Sequence, residues 1–179
     1  MWFENVGTFI EFGFQHIIPQ GLDHVLFVVA LYLNARSWPA LILQVTTFTV
    51  AHTITLALAS TGLVQSPGEI IEPLIAISIV VLALEAIFFK RANIWRLPVI
   101  FAFGLLHGLG FGSVMKAYLE NADFSAGLVG ITLGVELGQG QAIGADDQVV
   151  AEHRRDRHGQ ADGGHDQRLA DRAGDLVER

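Results

Sequence analysis

The chain has 179 residues, 51% of them hydrophobic, with 18 acidic and 11 basic side chains, a formal net charge of −7 and no cysteine. The absence of cysteine excludes a disulfide framework and thiolate metal chemistry, so a metal can be held only by His, carboxylate or backbone oxygen. The basic residues fall in short loops and in a mixed-charge C-terminal stretch, not on one basic face, which excludes a nucleic-acid-binding surface.

The averages conceal two regimes that meet near Gln139. Before it run long apolar stretches, each near the ~20 residues an α-helix needs to cross a ~30 Å hydrocarbon layer. The expected fold is therefore all-α: a polytopic transmembrane helix bundle over 1–139, followed over 140–179 by a polar, disordered cytoplasmic tail. The N-terminus has no basic n-region and no small-residue cleavage site, so its first apolar run is read as a retained span.

Taken in order, the first span is expected from Phe9 to Leu33, with Pro19 as a break or a helix start. The second runs from Trp38 to Val64, the third from Ile70 to Phe89, the fourth from Leu97 to Leu119 and the fifth from Phe124 to Gln139. All five are too apolar all round for a soluble amphipathic helix. Arg36 follows the first span, and Lys90, Arg91 and Arg96 follow the third; Glu4, Glu11, Glu69, Glu120 and Asp123 occupy the opposite ends. The positive-inside rule then puts the basic loops in the cytoplasm and the N-terminus outside.

Gly104, Gly108 and Gly112 recur every fourth residue, as do Gly130, Gly134 and Gly138. Such stripes let backbones approach closely in lipid, and mark packing faces for a neighbouring helix or for a second copy of the chain. Past Gln139, where a sixth helix is expected, the Asp/Arg/Gly/Gln-rich composition fits two origins. One is coding sequence read in a shifted frame; the other is a genuine disordered tail in which His153, His158 and His165 bind metal weakly.

A charged side chain at the centre of a span costs about 2.5–3.5 kcal/mol on insertion scales, so it is retained where it faces a cavity, a partner or an ion. On an uninterrupted helix His16 and Asp23, seven residues apart, share nearly one face, with His24 beside it. A break at Pro19 would instead free backbone carbonyls, which must turn inward. Either arrangement makes a cation site, and imidazole with carboxylate suits nickel, zinc, copper(II), cobalt or iron(II). The alternative for Asp23 and His24 is an internal hydrogen-bonded pair that orients helices.

His52, flanked by Thr49 and Thr53, and His107 lie at comparable depth as ligands or relays, unless each is merely satisfied within the bundle. Glu72, beside Pro73, and Glu85 bracket an ion route that includes Glu136. Otherwise Glu72 starts a helix in solvent, and Glu85 and Glu136 pair with Lys90, Arg91 or Arg96.

The pieces "HIIPQGLDHVLFVVALYL", "FTVAHTITLALA", "EPLIAISIVVLALE", "FGLLHGLGFG" and "LGVELGQ", in this order, resemble the HupE/UreJ family of small bacterial membrane proteins from Phe9 to about Gln139. The resemblance implies roughly six transmembrane helices in the inner membrane and uptake of a transition metal, nickel being the usual assignment. It also implies that His16, Asp23 and His24 handle the metal, with His107 next. Leu109, Gly110 and Phe111 follow His107 and Gly108 where better-defined nickel permeases add His or Glu, so zinc, cobalt and copper stand beside nickel.

The expected function is thus a permease or secondary transporter, not an enzyme. It has no P-loop and so no built-in ATP drive, and its cation path is lined by His16, Asp23, His24, His52 and His107. Two other classes fit the residue types: an intramembrane zinc hydrolase with water activated on the metal, and a structural membrane subunit that docks through the glycine faces.

Overall fold

Pro19 and Gly21 divide the first apolar run into two helices, α1 (Trp2–Ile17) and α2 (Leu22–Asn34). The segments Asn5–Ile17 and Leu22–Asn34 are bent by 73° at this break. The turn closes on itself: the amides of Ile18, Gln20 and Gly21 donate to the carbonyls of Phe14, Gln15 and Ile17 at 2.8, 3.4 and 3.1 Å. Those three carbonyls are therefore occupied and are not the free inward-facing oxygens a break leads one to expect. Gly21 is required here by close approach, because a Cβ would run into the His16 carbonyl oxygen.

The computed structural model describes residues 2–35, 37–64, 67–88, 96–119, 123–145 and 147–148. After α2 come α3 (Trp38–Ser60), α4 (Gly68–Phe88), α5 (Arg96–Leu119) and a sixth helix, α6, over 124–145. Prolines sit in the first turns of α3 (Pro39) and α5 (Pro98), where no intrahelical N–H is needed. Helix α3 ends at Gly62, in the left-handed region at φ 78°, whose amide donates to Ala59 at 3.0 Å. Asp123 caps α6: its Oδ1 accepts from the Ala126 amide at 3.1 Å and the Ser125 hydroxyl at 2.6 Å.

The chain divides into two units, Met1–Ile143 and Gly144–Arg179. Of the second, residues 144, 145, 147 and 148 are described, and all are helical. The remainder of the expected tail, with His153, His158 and His165, lies outside the described residues, as do Arg36, Lys90, Arg91 and Glu120. Helical structure at the end of α6 continues beyond Gln139 to 145.

Helices α3 and α4 are each long and apolar enough to cross a membrane, and α1 with α2 pass as one bent span, giving two or three spans by length and composition among the described residues. Helix α5 is apolar over the shorter stretch Arg96–Gly112, and the five expected segments fall on α1 with α2, α3, α4, α5 and α6. Helix α4 is more peripheral than α3, with Ile70, Ile77, Val80, Leu84 and Ile87 exposed. Such a surface is stable against acyl chains and not against water.

Both glycine stripes are spent inside the chain. A Cβ at Gly104, Gly108 or Gly112 would strike Phe48 and Ala51, His52 and Thr55, or Ala59 of α3. A Cβ at Gly130, Gly134 or Gly138 would strike Phe9, Ile10 or Ile17 of α1. Close α3–α5 and α1–α6 seams follow, consistent with small-residue packing in lipid.

Two apolar clusters form the interior. One gathers Phe27, Leu31, Leu41, Phe48, Leu82 and Ile100; the other gathers Phe9, Ile17, Leu56, Met115, Ile131 and Val135. Along α3, His52 falls between Phe48 of the first and Leu56 of the second. Along α5, His107 falls between Ile100 and Met115, and on the α1–α2 path His24 falls between Ile17 and Phe27. The histidines thus occupy a polar layer between two apolar plugs.

Candidate metal centre

His16 closes α1, His24 lies in the first turns of α2, His52 is midway along α3 and His107 midway along α5. The 73° break, and the absence of a side chain at Gly21, fold His24 back toward His16, with ring centroids 5.0 Å apart. His24 is 5.2 Å from His52 and 5.1 Å from His107, and His16 is 6.3 Å from His52. One ligand nitrogen from each of His16, His24 and His52 lies within 4.8 Å of the other two. Gly108 lets α5 seat against the His52 carbonyl, which brings its neighbour His107 to the edge of this group.

The nitrogens are buried and unpartnered. His24, His52 and His107 are 5%, 1% and 1% exposed. Nε2 of His16 and His24, both nitrogens of His52 and Nδ1 of His107 have no hydrogen-bond partner among the described residues. The neighbouring threonines do not supply one: the Thr49 hydroxyl turns to the carbonyl of Val45 and to Gln139 Oε1, each at 3.1 Å, and that of Thr53 turns to the Thr49 carbonyl at 2.8 Å. Aromatic rings wall the group. Phe111 stacks on His16 at 3.6 Å, and Phe48 lies 5.7 Å from His24 and 6.1 Å from His52.

A cavity of about 430 Å³ leads to the cluster, lined by His16, His24 and His107 together with Gln20, Gly21, Asp23, Glu72, Ile75, Gly110 and Phe111. Asp23 and Glu72 are exposed and form an acidic rim. The seven-residue spacing that put Asp23 on the face of His16 holds only for an unbroken helix, and the break replaces Asp23 by His24 as the near neighbour of His16. His52 does not line the cavity.

The other two acids are elsewhere. Glu85 Oε2 lies 3.2 Å from Nε of the buried Arg96, a charge contact whose N–H is not aligned as a hydrogen bond. The guanidinium carries only donors, so the Asn34 amide is oriented with its oxygen toward it, accepting from Nη1 at 3.2 Å and Nη2 at 3.0 Å. Glu136 accepts from the Thr46 hydroxyl at 2.9 Å and not from a basic side chain among the described residues. Sequence reasoning did not single out Phe111, Gln20 or Ser78. Of these Ser78, whose Oγ lies 3.0 Å from His107 Nε2, carried a signal as the sole hydroxyl side chain of α4.

Buried imidazoles with open lone pairs, no competing thiolate, and two carboxylates at the entrance form a donor set that a divalent transition metal fits. No curated protein and no solved structure matches the chain. The family model for HupE / UreJ proteins matches residues 1–163, running past the last of the quoted motifs at Gln139. With its apolar helices and its histidine layer, this membrane protein therefore belongs to the HupE/UreJ family, whose members are associated with transition-metal handling.

Proposed function

We propose that the chain is a permease of the inner membrane that passes a divalent transition metal, nickel as its cargo, along a path lined by His16, Asp23, His24, His52 and His107. The observation that carries this reading is the group of three imidazole nitrogens within 4.8 Å, buried and unpartnered, at the foot of a cavity with an acidic rim. Each polar atom left unsatisfied in an interior costs about 1–3 kcal/mol. A cation passing through offsets that cost, whereas a purely structural role leaves it without compensation. Asp23 and Glu72 concentrate cations at the mouth, and His52, which does not line the cavity, carries the path onward. Sparse neutral donors also bind weakly enough to release, as conduction requires.

The transporting part is assigned to 1–139, with 140–179 outside it. The rim faces the outer side with the N-terminus, and the loop at Arg36 faces the cytoplasm, so a reporter fused after Arg36 is expected to read as internal. In cells supplied with radioactive nickel, the wild-type chain raises accumulation and His24→Ala, at equal membrane abundance, abolishes the increase. Accumulation by His24→Ala equal to wild type overturns the reading.

One observation favours a second reading. Three clustered histidines are also the donor set of catalytic zinc. The carboxylates that line the cavity, Asp23 and Glu72, stand exposed at its rim and not within the cluster where a general base would act. Stoichiometric tight zinc with amide or lipid turnover by the purified protein would reverse the preference.

A further inference from the structure

Ser78 is the one hydroxyl side chain of α4, and it is buried at 1% exposure. Its Oγ lies 2.7 Å from the Ile75 carbonyl oxygen and 3.0 Å from His107 Nε2. A serine hydroxyl has one proton to donate, and a carbonyl oxygen only accepts. The Ser78 proton therefore lies on the bond to Ile75, which leaves Ser78 as an acceptor toward His107. The imidazole must carry its own proton on Nε2, and the lone pair then falls on Nδ1. That Nδ1 is buried and without a partner among the described residues. Its ring is 5.1 Å from His24 and is held between Phe27 and Phe48, each 5.0 Å away.

We propose that Ser78 is a positioning residue: by accepting a hydrogen bond from Nε2–H it fixes His107 in the tautomer whose bare Nδ1 offers the next nitrogen donor, at the edge of the His16, His24 and His52 group, to a divalent cation held there. The inference rests on the reading of those three histidines as a cation site, and adds the element that orients the next donor. Acceptors that bond the far nitrogen of a ligating imidazole hold the ring and its tautomer in metal sites generally, and their loss weakens affinity about 10–100-fold. Here the acceptor is supplied by α4, a helix that carries no histidine and otherwise meets the cavity through Glu72 and Ile75.

The test uses the purified full chain labelled with 15N-histidine, with His107→Gln identifying the His107 resonances. Without metal, the wild type is expected to show His107 as the Nε2–H tautomer. Ser78→Ala is expected to lose that preference and to weaken cobalt(II) binding about 10–100-fold, with altered cobalt ligand-field bands, and Ser78→Thr to restore both. An Nδ1–H tautomer in the wild type overturns the proposal before any variant has to fold. A tautomer unchanged in Ser78→Ala overturns it as well. Cobalt bound equally tightly by wild type and Ser78→Ala, but lost in His24→Ala, overturns this inference alone. Absence of cobalt binding by the wild type overturns it together with the permease reading.

Discussion

The bundle buries polar groups in two contrasting ways. At the N-terminal end of α5, Arg96 is 4% exposed yet meets Glu85 from α4 and Asn34 from α2, so its charge is balanced and three helices are tied together. In the middle of the bundle, imidazoles from α1, α2, α3 and α5 converge, each with at least one buried nitrogen that meets no protein group among the described residues. The first arrangement spends its polar groups on the fold. The second holds neutral donors in the interior at a cost to the fold, which is the pattern expected where lone pairs serve a ligand.

The comparison breaks most directly at His52. Both its nitrogens are unpartnered at 1% exposure, so His52→Leu removes two unsatisfied atoms and fills the space with a side chain of similar size. The fold is expected to gain about 1 kcal/mol, seen as a higher melting temperature in detergent, while cobalt(II) affinity falls more than about 100-fold because a ligand and not merely its support is lost. A variant that melts lower and binds cobalt as before would place His52 with the structural groups.

Glu85→Leu is the converse. It leaves Arg96 buried without its counter-charge, which costs about 3 kcal/mol, the lower end of the range for broken buried pairs because Glu85 is 28% exposed. Cobalt affinity is expected to stay unchanged, since neither Glu85 nor Arg96 lines the cavity. A fall in affinity matching the fall in stability would mean that the two regions are not separable.

What the sequence made legible followed from local rules. The four-residue period of Gly104, Gly108 and Gly112 marked a packing face, and a Cβ there does collide with α3. Pro19 marked a break, because a residue without an N–H cannot continue α1. The intramembrane histidines stood out because polar groups are costly in lipid. What stayed illegible depended on the angle of that break: seven-residue spacing pairs His16 with Asp23 only on a straight helix, and a 73° bend substitutes His24. Ser78 stood out only as the sole hydroxyl side chain of α4, and its partner was illegible for a different reason. A serine in a helix ordinarily bonds its own backbone, as Ser78 does to Ile75, and nothing local reveals the imidazole on its other side. The end of α6 was placed at Gln139 by composition, yet Ala142 and Ile143 are buried and the helix continues past them.

The smallest effect is expected where α3 meets α6. Thr53 Oγ1 and Thr132 Oγ1 are 3.1 Å apart, which looks like a hydrogen bond tying the two helices. Each hydroxyl, however, also lies close to a carbonyl of its own helix, Thr53 to Thr49 at 2.8 Å and Thr132 to Leu128 at 2.7 Å. Two protons serve three contacts, and the two shorter ones take them, so the contact between helices has no proton of its own. His107 differs from these threonines because it brings a proton to Ser78. A double-mutant cycle with Thr53→Val and Thr132→Val, followed by unfolding in mixed detergent, is therefore expected to give a coupling no larger than about 0.6 kcal/mol, the average for hydrogen bonds between helices in a bilayer. A coupling well above about 1.5 kcal/mol, near the most such pairs give, would show that one hydroxyl has turned from its own helix to its neighbour, and would move this seam from incidental contact to the class of the Arg96 tie.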